Sequence, residues 1–142
     1  MKRVYFGKDG QGKLVRDNLP ELLTKQGYPY SAKVLLPSEL ASHIVGKMPE
    51  EVNEIKFALA NQSKDALVEE IADLIELVDS LVKAINITKE DLTDAKQKKK
   101  DSRGSFTTGQ FIHYVDLVET GDNYDYWVKY FSGNPGYVVE EI

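Results

Sequence analysis

The sequence predicts a mainly α fold, an antiparallel helical bundle, on three observations. Leu40, Ile44, Met48, Val52, Ile55 and Leu59 step by three or four, as on one face of a helix. Leu67, Ile71, Leu74, Ile75, Val78, Leu81, Val82 and Ile85 form a second, broader stripe of the same period. Between the two, "NQSK" reads as a turn with Ser63 as a helix cap, so the helices fold back on each other around Gln62.

The remaining elements follow in order. "MKRVYFG" reads as a short strand or a loosely docked arm, punctuated by the glycines of "GKDGQG". "RDNLPELLTKQG" predicts a short helix, with Asp17 or Asn18 as cap, Pro20 in the first turn and Gly27 at the stop. Pro29 and Pro37 mark "YPYSAKVLLP" as extended linker. In "TKEDLTDAKQKKKDSRG", Thr88 and Asp91 resemble a capping box, and a basic last turn and Gly104 suit a helix end. The aromatic and β-branched segment after "GSF" is either a hairpin or a helix with a tail, and its composition favours some strand. The expected organisation is a helical catalytic domain over 1–106 and an aromatic-rich extension over 107–142, a small β or irregular piece packed on the same domain or on a partner subunit.

Composition narrows the function classes. The chain has 142 residues, 42% hydrophobic and 29% charged, which suits one globular domain with a small core. A net charge of -5 disfavours nucleic acid as partner. It does not disfavour a small anionic substrate, because a bound metal reverses the local field. With no cysteine there is neither a disulfide scaffold nor a thiolate metal site. No apolar run approaches the ~20 residues of a membrane span. The first ten residues lack a signal peptide's apolar stretch, so the expected location is cytoplasmic.

Acidic residues carry the chemistry. At ~100° per residue, Glu51 lies at one edge of the first apolar arc, with Glu54 and then Glu50 further out. Glu70 and Asp73 take the corresponding edge of the second helix, with Glu69 and Glu76 beyond. At ~1.5 Å rise per residue from the turn, Glu54 matches Glu70 in height and Glu51 matches Asp73. Four carboxylates then converge, and close carboxylates raise one another's pKa unless a cation joins them. Oxygen donors without cysteine or placed histidine suit Mg²⁺, or Mn²⁺, over zinc.

These residues also resemble a family. "EEVNE" followed by "EIAD" is similar to the EExxE…ExxD signature of the all-α nucleoside triphosphate pyrophosphohydrolases, which include MazG-type enzymes and phosphoribosyl-ATP pyrophosphohydrolase. "KLVRDNLPELL", "KMPEEVNE", "EEIADLIELVDSL" and "KKKDSRGSF" resemble successive pieces of a MazG-like subgroup, from Lys13 to Phe106. The segment beyond Phe106 has no counterpart there.

The resemblance implies a helical fold that forms a homodimer or a dimer of dimers. It implies Mg²⁺ on Glu51, Glu54, Glu70 and Asp73, with Glu50 as acidic neighbour. It implies hydrolysis of a nucleotide between the α- and β-phosphates to a monophosphate and pyrophosphate. A house-cleaning role on surplus or non-standard nucleotides is the first reading. A metabolic phosphoribosyl-ATP pyrophosphohydrolase and a non-catalytic helical nucleotide-binding module are the alternatives.

Glu50 or Glu54 would take the proton of the attacking water. Lys13 and Arg16, ahead of a helix start, and Lys99 and Arg103, near a helix end, are the expected phosphate contacts. His43 reads as solvated and His113 as packed among aromatic residues, and the tyrosines around Trp127 suit packing better than base stacking. Pro49 departs from the family pattern. It predicts a kink or fresh helix start between Gly46 and Pro49, which would place Glu50 and Glu51 at a positive helix end.

Overall fold

The computed structural model describes residues 1–141. Among them are five helices and no strand: α1 (Leu19–Lys25), α2 (Pro37–Ala60), α3 (Lys64–Ala84), α4 (Lys89–Arg103) and α5 (Tyr124–Ser132). The mainly α expectation holds. The chain divides into two compact units, Met1–Asp101 and the segment from Ser102 onward.

The first unit is built on the α2–α3 hairpin. Pro37 opens α2, and Glu39 accepts from the backbone N–H of Leu36 at 2.9 Å. That bond, with Lys33 at 3.8 Å, holds the Glu39 carboxyl below the ordinary carboxylate range. The reversal needs a left-handed residue, and Gln62 supplies it at φ 54°. Ser63 then caps α3, its hydroxyl accepting from the backbone N–H of Ala66 at 3.3 Å. Thr88 does the same for Asp91 at 3.0 Å, ahead of α4.

Ahead of α1 the chain forms an arm with a tight glycine turn and no strand. The backbone N–H of Gly12 donates to the Phe6 carbonyl at 2.9 Å. A Cβ at Gly7, which has φ +83°, would stand 2.5 Å from the Gly12 carbonyl oxygen, so only glycine fits there. The side-chain cap expected on α1 is not made at Asn18; Pro20, with its φ already helical, starts that helix instead.

Two further expectations need correction. α2 runs unbroken through Pro49, so no helix restarts there. The bond lost to the Val45 carbonyl falls on a residue that is itself half exposed. The apolar stripes are also not buried within the chain. Among the described residues, Ile44 and Ala58 alone form the buried apolar core, while Val52, Leu59, Ile71, Val78 and Ile85 stay exposed. Two helices cover only the facing strip of each other, and neither α1 nor α4 contributes a buried residue to cover the rest.

The second unit carries α5 where the sequence favours some strand. Tyr124, Trp127, Val128 and Phe131 step by three and four and are all half-buried, so their aromatic character serves a helix face. Trp127 stacks on Phe131 at 5.7 Å, and Phe131 meets Tyr137 edge-on at 4.8 Å. His113 packs edge-on against Phe111 at 5.2 Å.

Candidate functional site

The hairpin brings Glu51 of α2 beside Glu70 and Asp73 of α3. Each offers one carboxylate oxygen, and these oxygens lie within 4.8 Å of one another. Three of the four carboxylates predicted to converge are therefore together. Glu54 is not in that trio. It is exposed, one turn further along α2, and acts on Glu51 by raising its carboxyl pKa.

Glu51 is the unusual member. It is 5% exposed, and among the described residues it is the buried charged side chain. Its Oε1 accepts from the Lys47 ammonium at 3.2 Å, but its Oε2 is buried with no hydrogen-bond partner. Burial and the neighbouring Glu54 push the Glu51 carboxyl up, and the attraction of Lys47 only partly opposes them. An orphaned buried carboxylate oxygen beside two other carboxylates fits a hard divalent cation held by oxygen donors.

Basic side chains surround the trio. Burial alone would depress Lys47, but Glu51 and Glu50 outweigh it and hold its ammonium above the ordinary lysine value. Glu50 is engaged at both oxygens, Oε1 by Lys13 at 3.2 Å and Oε2 by Lys47 at 3.5 Å. Although partial burial disfavours its charge, those two lysines keep it below the ordinary carboxylate range. Arg16 forms an ion pair with Asp73. The crowding of Glu50 and Glu51 is thus eased by Lys13 and Lys47, not by a helix end.

Lys13, Lys47 and Glu50 also line a groove of about 480 Å³ between the glycine-turn arm and α2, with Lys8, His43 and Gly46. His43 is exposed there.

Lys99 stands exposed on α4. Arg103, in the second unit, donates to the hydroxyls of Tyr130 at 3.0 Å and Tyr126 at 3.1 Å. Its guanidinium lies over the Tyr130 ring at 4.9 Å.

Lys47, which the sequence reading did not single out as a site residue, has a legible signal: it precedes Glu50 and Glu51 by three and four residues on one helix. The aromatic partners of Arg103 have no such signal, because 23 and 27 residues separate them from it.

The family model described as phosphoribosyl-ATP pyrophosphohydrolase matches residues 30–103, 74 of the 142 residues. No curated protein and no solved structure matches the chain. The matched range contains Glu50, Glu51, Glu54, Glu70 and Asp73 and begins after the arm that carries Lys13 and Arg16.

Proposed function

Since the chain belongs to the phosphoribosyl-ATP pyrophosphohydrolase family, within the all-α NTP pyrophosphohydrolases, we propose that it hydrolyses a nucleoside triphosphate or related nucleotide between the α- and β-phosphates, with Mg²⁺ as cofactor. The carrying observation is the orphaned Glu51 oxygen beside Glu70 and Asp73. Glu51, Glu70 and Asp73 would hold the ion, with Glu54 able to join them. A bound divalent ion supplies charge neutralisation at the phosphates and lowers the pKa of a water it carries; Mn²⁺ would serve in its place.

The chain's own residues do the rest. Water's oxygen bonds to one of the two phosphorus atoms, the bridging P–O bond breaks, and the water's proton passes to a carboxylate. Glu50 and Glu54 are the candidates. Lys13 and Arg16, adjacent to the acidic group through Glu50 and Asp73, would exchange those partners for phosphate oxygens. Lys99 would add charge to the phosphate or ribose. The catalytic domain would span 1–106, with 107–142 as an aromatic extension.

A house-cleaning substrate, a surplus or non-standard nucleotide, is the first reading. Phosphoribosyl-ATP is the second, favoured by the description of the matching family. No helix among the described residues is long and apolar enough to cross a membrane, in keeping with a cytoplasmic enzyme. A homodimer or dimer of dimers is the proposed assembly. Its support is the exposed stripe of Val68, Ile71, Ile75 and Val78 on α3, more apolar surface than a lone soluble hairpin tolerates.

The test is pyrophosphate release from a panel of nucleotides that includes phosphoribosyl-ATP, with and without Mg²⁺. Mg²⁺-dependent release from at least one is expected. No turnover with any of them, together with a melting temperature unmoved by Mg²⁺, would overturn the proposal and leave a non-catalytic binding module.

A further inference from the structure

Lys47 has no part in the reaction as proposed, yet it is the cation most deeply placed beside the carboxylates. Its side chain is 20% exposed, against 40% for Lys13 and 67% for Arg16. It touches the two glutamates at once, Glu51 at 3.2 Å and Glu50 at 3.5 Å. An ammonium so close to a prospective metal ligand repels any divalent ion that ligand would bind.

Lys47 also has somewhere else to go. It stands in the wall of the groove between α2 and the glycine-turn arm, where Lys8 and Lys13 are further walls. Asp9 and Glu50 line the groove too. The Asp9 carboxylate is engaged by the backbone N–H of Gln11 at 3.0 Å, and Glu50 by its two lysines. At Gly46 an added Cβ would meet nothing within 4 Å, so the helix leaves the groove open next to Lys47. A lysine ammonium on its flexible four-carbon stem turns between nearby partners at small cost.

We propose that Lys47 is the internal competitor of the divalent ion: it neutralises Glu50 and Glu51 until the ion displaces it, then joins Lys8 and Lys13 in the groove as a binding group for the anionic phosphate end of the substrate. The inference rests on the metal reading above. Lys47 is a positioning residue for Glu51 in the first state and a substrate contact in the second.

The experiment uses the full chain, free of metal, as wild type, Lys47→Gln and Lys47→Arg. Glutamine keeps a donor for Glu51 and removes the charge, so the buried carboxylate is not stranded. Mn²⁺ binding is followed by the electron paramagnetic resonance of the free ion. The expected result is Mn²⁺ affinity about 3- to 10-fold tighter in Lys47→Gln and within about 2-fold of wild type in Lys47→Arg. Inorganic pyrophosphate is then added at saturating Mn²⁺. It should raise the melting temperature of wild type and Lys47→Arg, and by less than half as much in Lys47→Gln. Equal or weaker Mn²⁺ binding by Lys47→Gln, or an undiminished pyrophosphate shift, overturns the role of Lys47 and leaves the metal site standing. Failure of the wild type to bind Mn²⁺ overturns the metal site itself.

Discussion

At the scale of single residues, Glu51 sets the behaviour of the site. Burial and Glu54 raise its pKa in the folded chain, so the folded state holds a proton more tightly than the unfolded one. Stability of the metal-free protein therefore falls as pH rises from the ordinary carboxylate range through the raised value of Glu51. Glu39 and Glu50, both lowered, act the other way, and their stabilisation is lost as pH falls through their folded values. Replacing Glu51 by Gln should remove the first trend. In EDTA the variant should melt about 2–4 °C higher than wild type near neutral pH, the shift expected for about 1 kcal/mol. Its melting temperature should decline less as pH rises above the ordinary carboxylate range, as scanning calorimetry would record. Asp73→Asn should fold normally and lose activity. Loss of an outer partner of a metal ligand costs 10–100-fold, so loss of a ligand should exceed about 100-fold in kcat/KM.

The acidic patch was legible because helical period and distance from the turn fix where Glu51, Glu70 and Asp73 fall. The burial of Glu51 and its lone oxygen were not, because they depend on side-chain packing that period alone does not set.

At the scale of elements, α2 shows how context overrides a local preference. A proline inside a helix costs roughly 3 kcal/mol relative to alanine in a host peptide, yet α2 runs through Pro49. Pro49→Ala should restore the bond to the Val45 carbonyl and raise the unfolding free energy by about 1–3 kcal/mol in urea titrations. A chain that restarted its helix at Pro49 would gain nothing. Ser63→Ala should do the opposite and destabilise by about 1 kcal/mol, through loss of the bond from Ala66. The stretches that form α1 to α4 read correctly as helices because proline and glycine punctuation, turn residues and apolar period mark them together. α5 was harder: aromatic residues suit strands and helices alike, and it took the packing of Trp127, Phe131 and Tyr137 to decide.

At the scale of the whole molecule, the proposed assembly follows from how little apolar surface the described residues bury. Ile44 and Ala58 form the buried apolar core among them, and the exposed apolar residues of α2 and α3 are the surface a second hairpin would cover. Sedimentation equilibrium should give two or four times the 16.0 kDa of one chain. Ile75→Glu, at an exposed point of the α3 stripe, should lower that mass toward one chain and reduce helicity with it. Sequence periodicity shows which residues are apolar; it does not show whether they are covered within the chain or by another copy.

The grip of the aromatic residues on Arg103 has an optical consequence. The chain has one tryptophan, and Trp127 lies 5.9 Å from the Arg103 guanidinium within the second unit. Its emission should therefore follow the melting of that unit alone. The far-ultraviolet circular dichroism, dominated by α2, α3 and α4, should follow the first. Overlaid melting curves from the two signals would show whether the units come apart together or in turn.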